Sequence, residues 1–224
     1  MAHLSDPVAL AVFVGTRGRG SNLFAIHEAI ARNTLRARIA LVIGSRTGGA
    51  PVLERAREAG LPVTVVDPRA FPSGEDGNED GYGKALLDAL GAAQVGAVVL
   101  AGYLRRLPSP VVAAYRHRIV NIHPSLLPCF GGKGMYGEHV HRAVLDYGVK
   151  VSGCTVHLVD EEYDTGPIIA QRAVPVADDD TPATLAARIL PHEHAALVEA
   201  LGWMAEGRLL VEGRRVRVLP PPRQ

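Results

Sequence analysis

Four short, largely apolar runs alternating with three segments of helical character constrain this chain more than any other feature. Val8–Val14, Ala40–Ile43, Pro62–Val66 and Ala97–Ala101 each have strand length. Between them, Ser21 precedes Leu23, Phe24, Ile26 and Ile30 at helical spacing and is placed to cap a helix. A second helix is expected over residues 52–60, ended by Gly60, and a third over about 82–90. Runs that are apolar at every position are buried on both faces. The expected fold is therefore α/β, with a mostly parallel sheet flanked by helices.

The pattern changes after residue 123. Lys150–Val159 reads as a longer, partly alternating strand, and Pro167–Val176 as its partner across a return containing Asp164-Thr165-Gly166. Thr181 is expected to cap a long helix reaching Ala205, with Pro191 kinking or interrupting it. Residues 67–81 read as an exposed loop, and the tail from Arg208 as one short strand before Pro220-Pro221-Pro222. No repeat or linker divides the 224 residues, so one domain over 1–224 is expected, with a mixed second half.

Composition narrows the function classes. With 47% hydrophobic residues a buried core is affordable, and a formal charge of +1 offers no footprint for nucleic acid or a membrane surface. No apolar run approaches the roughly 20 residues of a membrane span. The first seven residues lack the basic and apolar regions of a secretory signal. Two cysteines, Cys129 and Cys154, suit neither a disulfide framework nor a metal site. A cytoplasmic protein is expected.

Two segments carry chemistry. In Asn121-Ile122-His123-Pro124-Ser125-Leu126-Leu127-Pro128-Cys129, an amide and an imidazole stand two positions apart at the end of an apolar run. On a strand they share a face, and Pro124 ends the strand. The carboxyl end of a strand is where open α/β sheets bind ligands. In Gly15-Thr16-Arg17-Gly18-Arg19-Gly20-Ser21-Asn22, glycines connect a strand to a helix start. Backbone N–H groups there favour an anion. The register does not fit G-x-G-x-x-G, and Gly44-Ser45-Arg46 stands where a dinucleotide site would have an acid. A single phosphate fits better, and a tight turn without ligand is the other reading.

Four segments together resemble the folate-dependent phosphoribosylglycinamide formyltransferases of purine synthesis. They are Gly18–Asn22, Val98–Arg105, Asn121–Pro128, and Thr155-Val156-His157 running to Asp164–Ile169. The resemblance, spanning roughly residues 8–205, implies a Rossmann-like half over about 8–123 that binds nucleotide phosphate. A formyltransferase-type half over about 124–206 would then bind folate, with 207–224 as a tail. It implies formyl transfer from 10-formyltetrahydrofolate to the amine of phosphoribosyl-glycinamide without a metal. Small molecules would be the partners of a monomer or weak homodimer. Residue by residue, Asn121, His123 and Asp164 match the catalytic set. Gly20, Ser21, Asn22 and Glu193 match acceptor-binding positions. Leu104, Arg105, Arg106, Leu107, Asn121, Asp160, Glu161, Glu162 and Tyr163 match the folate-binding segments.

The chemistry agrees with those residues independently. Formyl transfer to an amine passes through a tetrahedral intermediate with an oxyanion to stabilise and an ammonium to deprotonate. Asn121 can donate to the oxyanion. His123 is expected to be charged, its pKa raised by Asp164. His157 is expected to make a structural hydrogen bond. His139, His141, His192 and His194 are expected on solvated helix surface rather than at a metal.

Three departures from the family stand out: Leu190 in place of a polar side chain, Asn78-Glu79-Asp80 where an arginine is common, and the glycine-rich Phe130–Gly137 turn. Rival readings are a formyltransferase with another acceptor, a formyltetrahydrofolate deformylase, and a non-catalytic nucleotide- or folate-binding protein. A formyltransferase acting on methionyl-tRNA and the deformylase carry additional domains for which no segment is expected here.

Overall fold

The computed structural model describes residues 7–15, 18–46, 50–71 and 80–221. Among them, one nine-stranded sheet runs through the molecule. Its first five strands are β1 (Val8–Val14), β2 (Ala37–Gly44), β3 (Val63–Val65), β4 (Ala97–Ala101) and β5 (Ile119–His123). They pair in parallel in the spatial order β3-β2-β1-β4-β5. Then β6 (Val151–Leu158) and β7 (Ile168–Pro175) add antiparallel, and a hairpin of β8 (Leu209–Glu212) and β9 (Arg215–Val218) extends the far edge. The expected single strand of the tail is thus two.

The alternation of side chains along the strands creates two core layers. Leu10, Val12 and Val14 of β1 and Val99 of β4 pack into one layer, and Ala11, Phe13, Val98 and Leu100 into the other. Helices α1 (Ser21–Ala31), α2 (Pro51–Glu58), α3 (Asp80–Ala92), α4 (Ser109–Ala114), α5 (Glu138–Tyr147) and α6 (Pro182–Ala205) accompany the sheet. The mixed sheet with parallel strands at its amino-terminal side is the fold that the periodicity predicts.

Three local expectations are corrected. Ser21 does not cap α1 but is its first residue; Gly20 is the N-cap, in the left-handed region at φ 75°. A Cβ at Gly20 would stand 2.3 Å from the Val52 side chain, so conformation and space both require glycine. Pro191 does not interrupt α6, which continues over 24 residues. Pro191 and Ala187, whose carbonyl loses its helical donor, are both exposed, so water can satisfy it. Burial of Leu185, Ile189, Ala196, Leu197 and Leu201 holds the helix on both sides of the proline. At its start Thr181 caps as expected, in a reciprocal box with Thr184. Finally, residues 67–81 are not a loop throughout: a 3₁₀ turn covers Pro68–Ala70 and α3 begins at Asp80. Asn78 and Glu79 lie outside the described residues.

Candidate active site

Strand pairing assembles the central cluster. Asn121 of β5 lies directly opposite His157 of β6, and His123 opposite Thr155. Cross-strand partners on one face touch, and Asn121 Nδ2 stands 3.0 Å from His157 Nε2. The other ring nitrogen of His157 is 2.8 Å from the Leu158 carbonyl oxygen. A carbonyl only accepts, so His157 carries its proton on Nδ1 and accepts from Asn121 at Nε2. His157 therefore belongs to the cluster and fixes the orientation of the Asn121 amide.

Asp164 enters from the loop between β6 and β7. Its φ of 57° is the left-handed conformation that non-glycine residues rarely adopt. Its Oδ2 accepts from the Gly132 N–H at 2.9 Å and lies 3.5 Å from His123 Nδ1. Its Oδ1 takes a long, 3.4 Å hydrogen bond from Asn121 and sits 3.5 Å from His157 Nε2. Burial would raise its pKa, but the imidazoles of His157 and His123 beside it and the Gly132 N–H together hold it below the ordinary carboxylate value.

His123, only 3% exposed, departs from expectation. Burial lowers its pKa, and Asp164 and the Phe130 carbonyl offset that only in part. The imidazole is shifted toward its neutral form rather than held as a cation. Its Nε2 lies 2.9 Å from the Phe130 carbonyl, to which it donates, so Nδ1 faces Asp164 with a free lone pair.

The Pro-Ser-Leu-Leu-Pro turn owes its rigidity to Thr155. The Thr155 hydroxyl donates to the Ser125 carbonyl at 2.6 Å and accepts from the Leu127 N–H and Gln171 Nε2, each at 3.0 Å. Ser125 Oγ donates to the Cys129 carbonyl at 2.7 Å. These bonds deliver Phe130 to His123. Directly after it, a Cβ on Gly131 would meet Leu127 at 2.5 Å and Asp164 Cβ at 3.2 Å. The glycine-rich turn thus lets the Asp164 loop approach closely.

The cluster opens into a cleft of about 650 Å³ that also reaches Asn22, Leu104, Tyr163, Leu190 and Glu193. Asn22 at the start of α1 and Glu193 of α6 meet there, Asn22 Nδ2 donating to Glu193 Oε2 at 3.2 Å. Burial raises the Glu193 pKa, and the Asn22 bond offsets only part of that. Gly20 and Ser21 form the start of α1 beside this wall. Leu190 contributes apolar surface to the cleft.

A second cleft of about 750 Å³, sharing Leu104, Gly132 and Tyr163 with the first, is walled by Arg105, Arg106 and Glu162. The Tyr163 hydroxyl accepts from the Arg106 backbone N–H at 3.1 Å, bridging the two segments. Other residues of those segments face elsewhere. Leu107 turns its side chain into the core. Asp160 braces its own loop, accepting from the Thr165 hydroxyl at 2.7 Å. Glu161 is exposed and lines neither cleft.

Of the four histidines expected on solvated helix surface, His139 and His192 are exposed. Among the described residues no group of side chains is placed to hold a metal ion. His194 is half-buried. His141 is the correction: it is 4% exposed and lines the cleft. Its signal was present in the sequence, because Val140, His141 and Val144 fall on one helical face.

Comparison with known proteins follows the same lines. Residues 9–201 match the Formyl transferase family. Phosphoribosylglycinamide formyltransferase of Arabidopsis thaliana, named as chloroplastic, is 46% identical over 203 residues, covering 89% of this chain and 66% of the relative. The chain thus spans about two thirds of that relative's length. The Escherichia coli phosphoribosylglycinamide formyltransferase is 38% identical, covering 86% of this chain and 85% of the relative. The crystal structure of glycinamide ribonucleotide transformylase 1 from Symbiobacterium toebii superposes with a TM-score of 0.85 at 44% identity, covering 95% of this chain and 94% of that one. By the extent of the family match and the identity of these relatives, the chain belongs to the formyl transferase family.

Proposed function

We propose that the cleft transfers a formyl group from 10-formyltetrahydrofolate to the amine of phosphoribosyl-glycinamide, a step of purine biosynthesis. The observation that carries this reading is the Asn121–His123–His157–Asp164 cluster. Asn121, His123 and Asp164 line one cleft with Asn22 and Glu193, near the amino-terminal end of α1, and His157 stands behind Asn121. A formyl donor at the Leu104 and Tyr163 side and a phosphorylated acceptor at the Asn22 side would meet at the cluster.

The acceptor's nitrogen lone pair forms a C–N bond with the formyl carbon, and the carbonyl π pair moves to oxygen. Asn121 supplies a donor to that oxyanion: its 3.4 Å bond to Asp164 is the weaker of its two and the one a ligand displaces. The amine's proton passes to the free Nδ1 of His123, where Asp164 stabilises the imidazolium. The same proton then reaches N10 of the folate as the C–N10 bond breaks and the carbonyl reforms. His157 holds Asn121 in register. The α1 N-terminus at Gly20, Ser21 and Asn22 binds the phosphate, and Glu193 accepts from hydroxyls of the acceptor.

In this reading residues 8–123 form the phosphate-binding half and 124–206 the folate-binding half of one domain. Leu104 and Tyr163 meet the pterin, with Arg105, Arg106 and Glu162 further out. Among the described residues no helix is long and apolar enough to cross a membrane. We place the reaction in the cytoplasm, or in a plastid as the name of the Arabidopsis relative would have it.

The test mixes purified protein with 10-formyltetrahydrofolate and phosphoribosyl-glycinamide and follows the deformylated folate by absorbance. Turnover that requires the acceptor and is lost in His123→Ala supports the reading. Equal turnover without acceptor would identify a hydrolase instead.

A further inference from the structure

The mechanism leaves one buried imidazole of the cleft unused. His141 lies near the start of α5, in the cleft wall with Gly137 and Glu138. Its Nδ1 is enclosed and has no hydrogen-bond partner among the described residues. An orphaned buried N–H is rarer and more unfavourable than an under-used acceptor, so the proton of the neutral ring belongs on Nε2. Burial, the neighbouring His123 and the positive end of the α5 dipole all disfavour the cation. His141 is thus a neutral N–H donor.

The reaction needs such a group. Both N–H bonds of Asn121 are engaged, with His157 and Asp164. The Nε2–H of His123 is held by the Phe130 carbonyl, and the Gly132 N–H by Asp164. Displacing the long Asn121–Asp164 bond frees one donor, whereas oxyanion sites work through preorganised donors that need no rearrangement. No hydrogen bond to another of the described residues competes for His141.

We propose that the Nε2–H of His141 is the second donor to the oxyanion of the tetrahedral intermediate, beside Asn121. This rests on the formyl-transfer reading. His141 transfers no proton: it donates one hydrogen bond as the π pair moves to oxygen, and the bond weakens again when the carbonyl reforms. The interaction is therefore stronger in the transition state than in the ground state, and its loss appears in kcat rather than KM.

The experiment compares steady-state kinetics of wild type, His141→Leu and His141→Gln with both substrates varied. Absence of wild-type turnover would sink the formyl-transfer reading itself. With wild-type turnover in hand, His141→Leu is expected to lose about 100-fold in kcat, with neither KM moving by more than about threefold. His141→Gln, which keeps an N–H, is expected to recover about tenfold of that. If the leucine variant does not fold, His141→Ala is read by the same criteria. A kcat near wild type, a loss confined to KM, or glutamine as impaired as leucine would each overturn the assignment.

Discussion

Replacing Thr155 with valine keeps the shape of a fully buried side chain and removes only the hydroxyl that organises the turn beneath the site. The hydroxyl makes three hydrogen bonds, to the Ser125 carbonyl, the Leu127 N–H and Gln171 Nε2. Gln171 keeps a second acceptor, the Leu127 carbonyl at 2.9 Å, so its loss is partial. The Ser125 carbonyl and the Leu127 N–H lose their partner inside the protein. Each orphaned buried group costs about 1–3 kcal/mol. A methyl in place of the hydroxyl returns roughly 0.8 kcal/mol. The net expectation is a loss of about 1–5 kcal/mol, which for a chain of this size is roughly 2–20 °C in Tm. Urea denaturation should show a lower midpoint at unchanged slope, while Thr155→Ser, which keeps the hydroxyl, should lose only the roughly 0.8 kcal/mol of one buried methyl. Because the same turn delivers the Phe130 carbonyl to His123, Thr155→Val should also lower kcat. A loss below about 1 kcal/mol, the net worth of one ordinary hydrogen bond, would refute the idea that this hydroxyl holds the turn.

Other expectations follow from the site. Asp164→Asn removes the charge that raises the His123 pKa, so kcat should fall by about 10²-fold or more and the acid limb of kcat/KM should move to lower pH; an unmoved limb would separate Asp164 from His123. Gly20→Ala strains a left-handed residue against Val52, a strain of about 1–3 kcal/mol. It should raise KM for the acceptor more than for the folate, and equal effects on both would contradict a phosphate site there. The pH dependence of stability has a definite sign. His123, His141 and His194 all have lowered pKa values in the folded state, so the unfolded chain binds more protons as pH falls below about 6.5. Their contribution is present above that pH and lost as pH falls through the folded values. Glu193, with its raised pKa, acts oppositely above about 4.5. Chemical denaturation at pH 7 and pH 5.5 should show the lower stability at 5.5, and His141→Gln should flatten the difference.

The parallel half of the sheet was legible because β1, β2 and β4 are apolar at nearly every position, a pattern that only burial on both faces tolerates. Asn121 and His123 were legible for a related reason: a period of two is enough to place them on one face. Asp164 is different. It sits 41 residues beyond His123 on a loop, and only the resemblance, not any periodicity, connects the two. The neutral state of His123 was not legible at all, since it depends on how much of the ring the fold encloses. The burial of His141 is carried by the stripe of Val140, His141 and Val144 on one face of α5, a pattern present in the sequence. Pro191 is tolerated because packing overrides local propensity: α6 is held by its buried face along its whole length.

The central claim is that this cleft joins a formyl donor to an amine acceptor. Its most direct test supplies 10-formyltetrahydrofolate carrying an isotopic label in the formyl carbon together with phosphoribosyl-glycinamide, and measures by mass spectrometry where the label goes. Label in the acceptor, one per deformylated folate and none when Asp164 is replaced by asparagine over the same time, is the predicted result. Label recovered as free formate, or remaining on the folate, would contradict it.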